Sequence, residues 1–477
     1  MLTRLEVTGF KNLVDFSVDF GPFNCIAGPN GVGKSNIFDA IRFLSLLADH
    51  TLMEAALSVR GSDPETSDLR DLFWTDGEAR SASFQMAAEM IVEPAVSDDF
   101  GRPAFATSTY LRYEIEVGYE PPTYKGMLGR LVLLAERLDY ITEGEAARKL
   151  RFPHSAKIFR RDVVTNSRRS KAGYISVNTA EDGQIEILVH QDGGSSGQPQ
   201  KAPASTAPRT IVATSNTSAT PTILAARREM QSWRFLALEP SAMRGVDRFH
   251  TQALITANGG NLPATLYRLA TERDDDTAID SARVYARISS RLAKLAPVVD
   301  VRVAVDEVRQ LLTLEVKESS GIWLPAGSLS DGTLRFLTLC ILAEDPTATG
   351  LVCMEEPENG IHPAKMVAMV DLLRDLAVDP SQAPGHENPF RQVIVATHSP
   401  AFVQLQNRDD LLFAVETRIK GRTGKPTRTV RCRPLMQTWR TGDGESGIGM
   451  ATILAYLTTP PGAQLELPVD EAFRLSA

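Results

Sequence analysis

Four short strings hold the residues of this chain best suited to chemistry. Gly28–Ser35 read GPNGVGKS, Ser328–Arg335 read SLSDGTLR, Leu351–Pro363 read LVCMEEPENGIHP and Ala396–Pro400 read ATHSP. In the first, Gly28, Gly31 and Gly33 let backbone N–H groups turn inward around phosphate oxygens. Lys34 brings a fixed positive charge to β- and γ-phosphates, and Ser35 offers a hydroxyl to Mg²⁺. The helix that follows adds the partial positive charge of its N-terminus. In the third string, LVCM reads as a buried parallel strand that delivers Glu355 and Glu356 to the carboxyl edge of a sheet, where α/β proteins bind ligands. By position Glu355 holds Mg²⁺, directly or through water, and Glu356 polarises the attacking water. Two adjacent carboxylates are costly without a cation, although a helix N-cap cluster is a plainer alternative. Glu358 and Asn359 follow in a turn that can face a second subunit.

His398 comes after the apolar run VIVA, where an imidazole can hydrogen-bond a γ-phosphate or the attacking water. A structural histidine is the plainer alternative. Ser330 and the N–H of Gly332 form a phosphate-reaching turn at the start of a helix. If the head follows the usual geometry of such sites, that turn cannot easily reach phosphates held by its own Lys34, and a second subunit must present it. Together the four strings describe an ATP-driven dimerisation switch with a split active site.

These residues need particular elements to hold them. Strands are expected at Leu2–Val7 and Phe23–Ala27, the second running directly into the glycine loop. A helix with Ile37, Ile41, Leu44 and Leu47 on one face should follow. This strand–loop–helix order is the context a phosphate loop requires. Residues 321–415 return to α/β alternation, with helices at Thr333–Ala343 and Pro363–Leu376 and strands at Leu351–Met354 and Gln392–Ala396. Between these halves, strands are expected at Tyr110–Tyr119, Ile185–Val189, Val298–Val305 and Leu311–Val316. Helices are expected after the turn Asn258–Asn261 and through Ser281–Leu295. Residues 192–222, rich in Gly, Ser, Pro, Ala and Thr, read as a flexible loop. The fold class is therefore α/β, a nucleotide-binding head of mixed sheet interrupted by a large α+β insertion. Four regions are expected: the N-terminal half of the head over residues 1–95, an insertion or partner-binding region over 96–320, the C-terminal half of the head over 321–415 and an extension over 416–477.

Composition sets the outer limits. The chain has 477 residues, with 43% hydrophobic and 23% charged content, ordinary for a globular protein with more than one core. No apolar run approaches the roughly 18 residues of a membrane span, and the opening MLTRLEVTGFKNL lacks the apolar core of a signal peptide. A cytoplasmic protein without membrane contact is expected. Cys25, Cys340, Cys353 and Cys432 lack metal-ligand spacing and read as reduced residues, three of them within apolar runs. The net charge of −8 argues against non-specific coating of nucleic acid. One segment runs the other way: Arg148, Lys149, Arg151, Lys157, Arg160, Arg161, Arg168, Arg169 and Lys171 face a single acid, Asp162. It reads as a solvated loop, a partner-docking face, or a contact for nucleic-acid phosphates.

The four strings resemble those of ATP-binding-cassette (ABC) ATPases, and within them the SMC/RecF/OLD-like branch. There, a long insertion separates an N-terminal phosphate loop from the signature, acidic strand and switch histidine. EEPENGIHP is most similar to the compact AAA-type ATPases of bacterial anti-phage operons. The resemblance covers residues 1–50 and 321–405. It implies that Lys34 and Ser35 bind ATP and Mg²⁺, with Asn30, Gly31, Gly33 and Asn36 completing the nucleotide set. It also implies that Lys11, in GFKNL, approaches the nucleotide. Ser330 and Gly332 would complete the site in trans, Glu355 would hold the metal, Glu356 would act as base and His398 would sense the γ-phosphate. Two points differ from the family. Glu355 stands where the family usually has Asp, leaving a water-mediated metal contact open, and Gln85 is the candidate for the family's glutamine.

The leading function is an ATPase switch, a homodimer or higher oligomer through ATP-sandwiched heads, that controls a separately encoded effector in anti-phage defence. The alternative is a RecF-like DNA-repair ATPase that binds DNA directly. The insertion and the form of EEPENGIHP argue against a transporter subunit. The OLD nucleases carry a metal-binding Toprim module after the head, whereas the tail from Arg431 has no DxD pair, so no nuclease is expected in this chain.

Overall fold

A computed structural model describes residues 1–59, 68–122, 124, 129–168, 171–181, 183–192, 197–271, 281–421, 426–441 and 447–458. The chain forms two compact units. One comprises Leu2–Gly21, Cys25–Gln231 and His398–Ala477, and the other Met1, Pro22–Asn24 and Ser232–Thr397.

The first unit is built on an eight-stranded antiparallel sheet. Its order is Gln200–Pro203, Ile185–Val189, Ile175–Thr179, Arg130–Tyr140, Tyr110–Glu120, Ser83–Ile91, Leu2–Thr8 and Phe16–Asp19. Alternation decides its faces. In Tyr110–Glu120, Tyr113, Ile115 and Val117 are buried while Arg112, Glu114 and Glu116 are partly exposed, the period of two of a half-buried strand. Arg112 crosses the polar face to bond Glu6 at 2.6 Å and Glu89 at 3.1 Å, tying three strands together. The boundary expected near residue 95 falls in the short strand Ala95–Ser97, which pairs with Pro103–Phe105. The boundary expected at 415 falls inside the strand Leu411–Lys420.

Residues 192–222 depart from the loop expectation. They include the strand Gln200–Pro203, the helix Ile211–Thr214 and the start of Pro221–Gln231, while 193–196 lie outside the described residues. The order comes from distant partners. The buried Glu136 carboxylate accepts the N–H groups of Ile211 at 2.6 Å and Val212 at 3.0 Å, and Asp192 accepts from Thr107 Oγ1 and the Thr222 N–H, each at 2.6 Å.

Also in this unit, Cys25–Ala27 pair in parallel with Leu411–Phe413, and Leu411–Lys420 pairs antiparallel with Pro426–Pro434. An aromatic cluster joins four segments, among them the helix Lys34–Leu46 that follows the phosphate loop. Phe84 lies 5.3 Å from Phe10, 5.5 Å from Phe43 and 5.1 Å from Phe73, ring centre to ring centre.

In the second unit, Arg234–Leu236, Gly350–Glu355 and Arg391–Thr397 run parallel. Leu351–Met354 are fully buried, as an apolar run in a parallel sheet should be. The helix Asp331–Glu344 packs on Leu262–Thr271, Ser281–Leu292 and Met366–Leu376. A small antiparallel sheet of Asp247–Arg248, Leu311–Glu318, Val298–Asp306 and Trp323–Pro325 lies in the same unit. Among the described residues no helix is long and apolar enough to cross a membrane.

Candidate nucleotide-binding and hydrolysis residues

In the first unit, the helix Lys34–Leu46 starts directly after Gly33 and buries Ile37, Ile41 and Leu44. Its N-cap, Gly33, supplies no side-chain hydrogen bond, and its carbonyl accepts the Asn36 N–H at 3.0 Å. Gly33 has φ +110, and a Cβ there would lie 2.4 Å from Asn12 Nδ2. Only glycine fits both the backbone and the space. Lys34 folds back on the loop, its Nζ donating to Gly28 O at 2.6 Å and Pro29 O at 2.8 Å. Ser35 is the second residue of the helix.

The Gly9–Leu13 stretch is fastened to this helix. Lys11 Nζ pairs with Asp39 Oδ2 at 2.8 Å, and Asn36 Nδ2 donates to Asn12 Oδ1 at 2.8 Å. The Lys11 N–H donates to Leu72 O at 2.8 Å. Lys11 is therefore held against the helix that follows the phosphate loop, with a buried acid as its ion-pair partner. Motif spacing does not single out Asp39 or Asn12. Their one signal in the sequence is an acid five residues past Lys34 and an amide next to Lys11. Gln85 lies mid-strand in Ser83–Ile91, exposed, between Thr8 and Glu116. His398 is half-buried just before Ser399, which caps the helix Pro400–Gln404.

In the second unit, Glu355 ends its strand in register with Ala396 and is half-buried. Glu356 departs from the strand with φ +50, a conformation unusual for glutamate. Its N–H donates to Ala396 O at 2.7 Å. The Asn359 N–H donates to Glu356 O at 3.1 Å, and Asn359 Nδ2 donates to Glu356 Oε2 at 2.8 Å. Glu358 does not present its side chain to a second subunit. It is 6% exposed and accepts a hydrogen bond from Thr397 Oγ1, because the turn directs it inward.

Ser330 is exposed and caps the helix Asp331–Glu344, accepting from the Thr333 N–H at 3.3 Å. Gly332 is buried against the turn after Glu356: a Cβ there would lie 2.2 Å from Gly360 O. Arg244 anchors the signature turn through Leu329 O at 3.1 Å and Asp331 Oδ1 at 2.6 Å.

The chemistry of these residues fits Mg²⁺ with a nucleotide. Among the described residues no group of three or more His, Cys, Asp or Glu gathers to hold a metal alone. Mg²⁺ in nucleotide sites typically takes one or two protein ligands and fills its octahedron with phosphate oxygens and water. Ser35 in the first unit carries a hydroxyl and Glu355 in the second a carboxylate, both oxygen donors of the kind Mg²⁺ takes.

The basic segment divides into paired and exposed residues. Lys149 is paired with Glu89, and Arg151 bonds Asp19 at 3.5 Å and Arg440 O at 3.1 Å. Arg168 stacks 4.0 Å over the Tyr174 ring and donates to the carbonyls of Ala172, Gly173 and Gln191. Arg148, Lys157, Arg161 and Lys171 are exposed and Arg160 is half-buried. Arg169 lies outside the described residues.

Two family models match the chain in order. "RecF/RecN/SMC N terminal domain" covers residues 1–57, and "AAA domain, putative AbiEii toxin, Type IV TA system" covers 223–404. A DNA replication and repair protein RecF from Parabacteroides distasonis is 43% identical over 51 residues, 10% of this chain and 14% of the relative. A chromosome partition protein Smc from Bordetella petrii is 32% identical over 111 residues, 23% of this chain and 8% of the relative. The matches thus span a small part of each relative. Among solved structures, an Smc head bound to the C-winged helix domain of ScpA matches 91% of this chain and 98% of its own, at 15% identity and TM-score 0.46. The SMC head domain from Thermotoga maritima matches 91% and 98%, at 12% identity and TM-score 0.35. The phosphate loop lies within the first family match, and the signature turn, acidic strand and His398 lie within the second. The two family matches, in this order along the chain, support a likeness to the SMC/RecF-like branch of ABC-type ATPases.

Proposed function

We propose that this chain is a slow ATPase that works as a dimerisation switch, controlling a separately encoded effector in bacterial anti-phage defence. The observation that carries the ATPase reading is Lys34 folded onto a glycine loop at the N-terminus of a helix, a ready anion site. Lys34 holds the β- and γ-phosphates, with Asn30, Gly31, Gly33 and Asn36 lining the same loop. Ser35 and Glu355 would hold Mg²⁺, which would supply charge neutralisation on the phosphates. Glu356 takes a proton from water as the water oxygen bonds to the γ-phosphorus. The bond to the β-phosphate oxygen breaks, giving ADP and phosphate. His398 hydrogen-bonds the γ-phosphate. Ser330 and the Gly332 N–H close the site of a second copy, so ATP joins two heads. The AbiEii wording of the family that matches 223–404 supports the defence role, and a cytoplasmic location accords with it.

The test is hydrolysis by purified full-length protein. Lys34→Ala should abolish nucleotide binding, while Glu356→Gln should bind and retain ATP. Hydrolysis at the wild-type rate by Glu356→Gln would remove Glu356 as base. Mixing Lys34→Ala with Ser330→Arg subunits should restore activity through one intact site per heterodimer. No recovery at any ratio, with both variants folded and associating, would reject sharing in trans.

A RecF-like DNA-binding role is the second reading, favoured by the RecF relatives and by the exposed Arg148, Lys157, Arg161 and Lys171. Tight duplex binding that weakens steeply with salt would support it. Strong binding to a protein encoded by a neighbouring gene, with weak DNA binding, would support the defence switch.

A further inference from the structure

We infer that Asn359 is a positioning residue that aims the Glu356 carboxylate, and that it ties this aim to the signature turn of the same subunit. The inference rests on the reading of Glu356 as the base. Glu356 sits at φ +50, a left-handed conformation disfavoured for any residue with a side chain. Such a conformation persists where surrounding bonds over-determine it. Here three converge on one residue. The Glu356 N–H is bound by Ala396 O, its carbonyl by the Asn359 N–H, and its carboxylate Oε2 by Asn359 Nδ2 at 2.8 Å. Asn359 thus grips both ends of the glutamate.

The next residue joins this turn to the signature helix. Gly360 has φ +82, and its carbonyl lies against Gly332, where a Cβ would come within 2.2 Å. Nothing larger than glycine fits at 332 without moving the turn that holds Glu356. The N-terminal end of the signature helix and the aim of the carboxylate are therefore mechanically linked within one unit. A phosphate engaged by Ser330 and Gly332 would press on the turn that sets the base. Asparagine suits this role because it donates to a carboxylate without adding charge. Aspartate, of the same shape, would repel it.

Steady-state ATP hydrolysis by the full-length protein tests this. Asn359→Ala should lower kcat about tenfold, a part of the gain from general base catalysis, with KM and the affinity for ATP within about twofold of wild type. Asn359→Asp should fall below Asn359→Ala, and Asn359→Gln, which keeps a donor, should recover part of the rate. In the Glu356→Gln background, Asn359→Ala should cause no further loss. An unchanged or raised kcat in Asn359→Ala, a loss that appears equally in KM, or the same fold loss in the Glu356→Gln background would overturn the inference. If Glu356→Gln alone hydrolysed ATP at the wild-type rate, the base assignment would fall and this inference with it. A slow Glu356→Gln beside a fully active Asn359→Ala would overturn the positioning role alone.

Discussion

Lys11 Nζ and Asp39 Oδ2 lie 2.8 Å apart, with only 6% of the acid's side chain exposed. The pair fastens the Gly9–Leu13 stretch to the helix that carries Lys34. Removing Asp39 takes from the part-buried Lys11 ammonium the carboxylate 2.8 Å away. Asp39→Ala should therefore destabilise the protein by about 3 kcal/mol, read as a lower midpoint in urea. A Lys11→Met/Asp39→Leu double variant should regain part of that loss, because no charge is stranded. Equal stability of Asp39→Ala and wild type would show that the pair contributes nothing.

Gly33 meets two obstacles at once. Its φ of +110 disfavours any side chain, and a Cβ would strike Asn12 Nδ2. Gly33→Ala should abolish measurable ATP binding in calorimetry. Asn12→Ala added to it should relieve the clash but leave the backbone strain, so binding should stay well below wild type. Full recovery in the double variant would make the contact the whole cause.

Glu136 is predicted to give the protein a pH-dependent stability. Burial raises its carboxyl to about 7 from an ordinary 4.5, although the N–H groups of Ile211 and Val212 and the Tyr113 hydroxyl bond to it. A raised carboxyl means the folded state holds a proton that the unfolded state has released. Stability from this group is thus fully present below pH 4.5 and is lost as pH rises to about 7. The loss is about 3 kcal/mol, taking each pKa unit as about 1.4 kcal/mol. Urea unfolding of wild type and Glu136→Gln across this range should give curves whose difference changes with pH below about 7 and levels off above it. A constant difference would mean that Glu136 does not titrate there.

The basic segment should separate into two classes of residue. Arg168→Glu should destabilise the protein, because it removes a stacking partner of Tyr174 and donors to three carbonyls. Arg160→Glu with Arg161→Glu should leave the unfolding midpoint and basal ATP hydrolysis close to wild type. If the segment meets nucleic acid, the salt slope of binding should flatten by roughly one unit per lost phosphate contact. Unchanged binding to duplex DNA and to a neighbouring gene product, across a salt titration, would leave Arg160 and Arg161 as solvated surface.

The glycine loop and the elements around it were legible in the chain because their pattern is local. GPNGVGKS is contiguous and leads directly into the helix Lys34–Leu46. Ile37, Ile41 and Leu44 share a helical face by spacing alone, and LVCM can only be a buried strand if both its sides are covered. The tertiary structure decided who meets whom. Asp39 takes Lys11 from 28 residues away, and Arg168 serves carbonyls and a tyrosine rather than solvent. Gln200–Pro203 is a strand because Ile185–Val189 pairs with it, whatever its Gly- and Pro-rich surroundings suggest. Glu358 and Asn359 are adjacent polar residues in one turn, yet one is buried on Thr397 and the other grips Glu356. Sequence spacing sets the period of an element and the order of its motifs. The direction a side chain takes at a turn, and the partner it finds there, depend on backbone dihedrals and distant contacts that spacing does not encode.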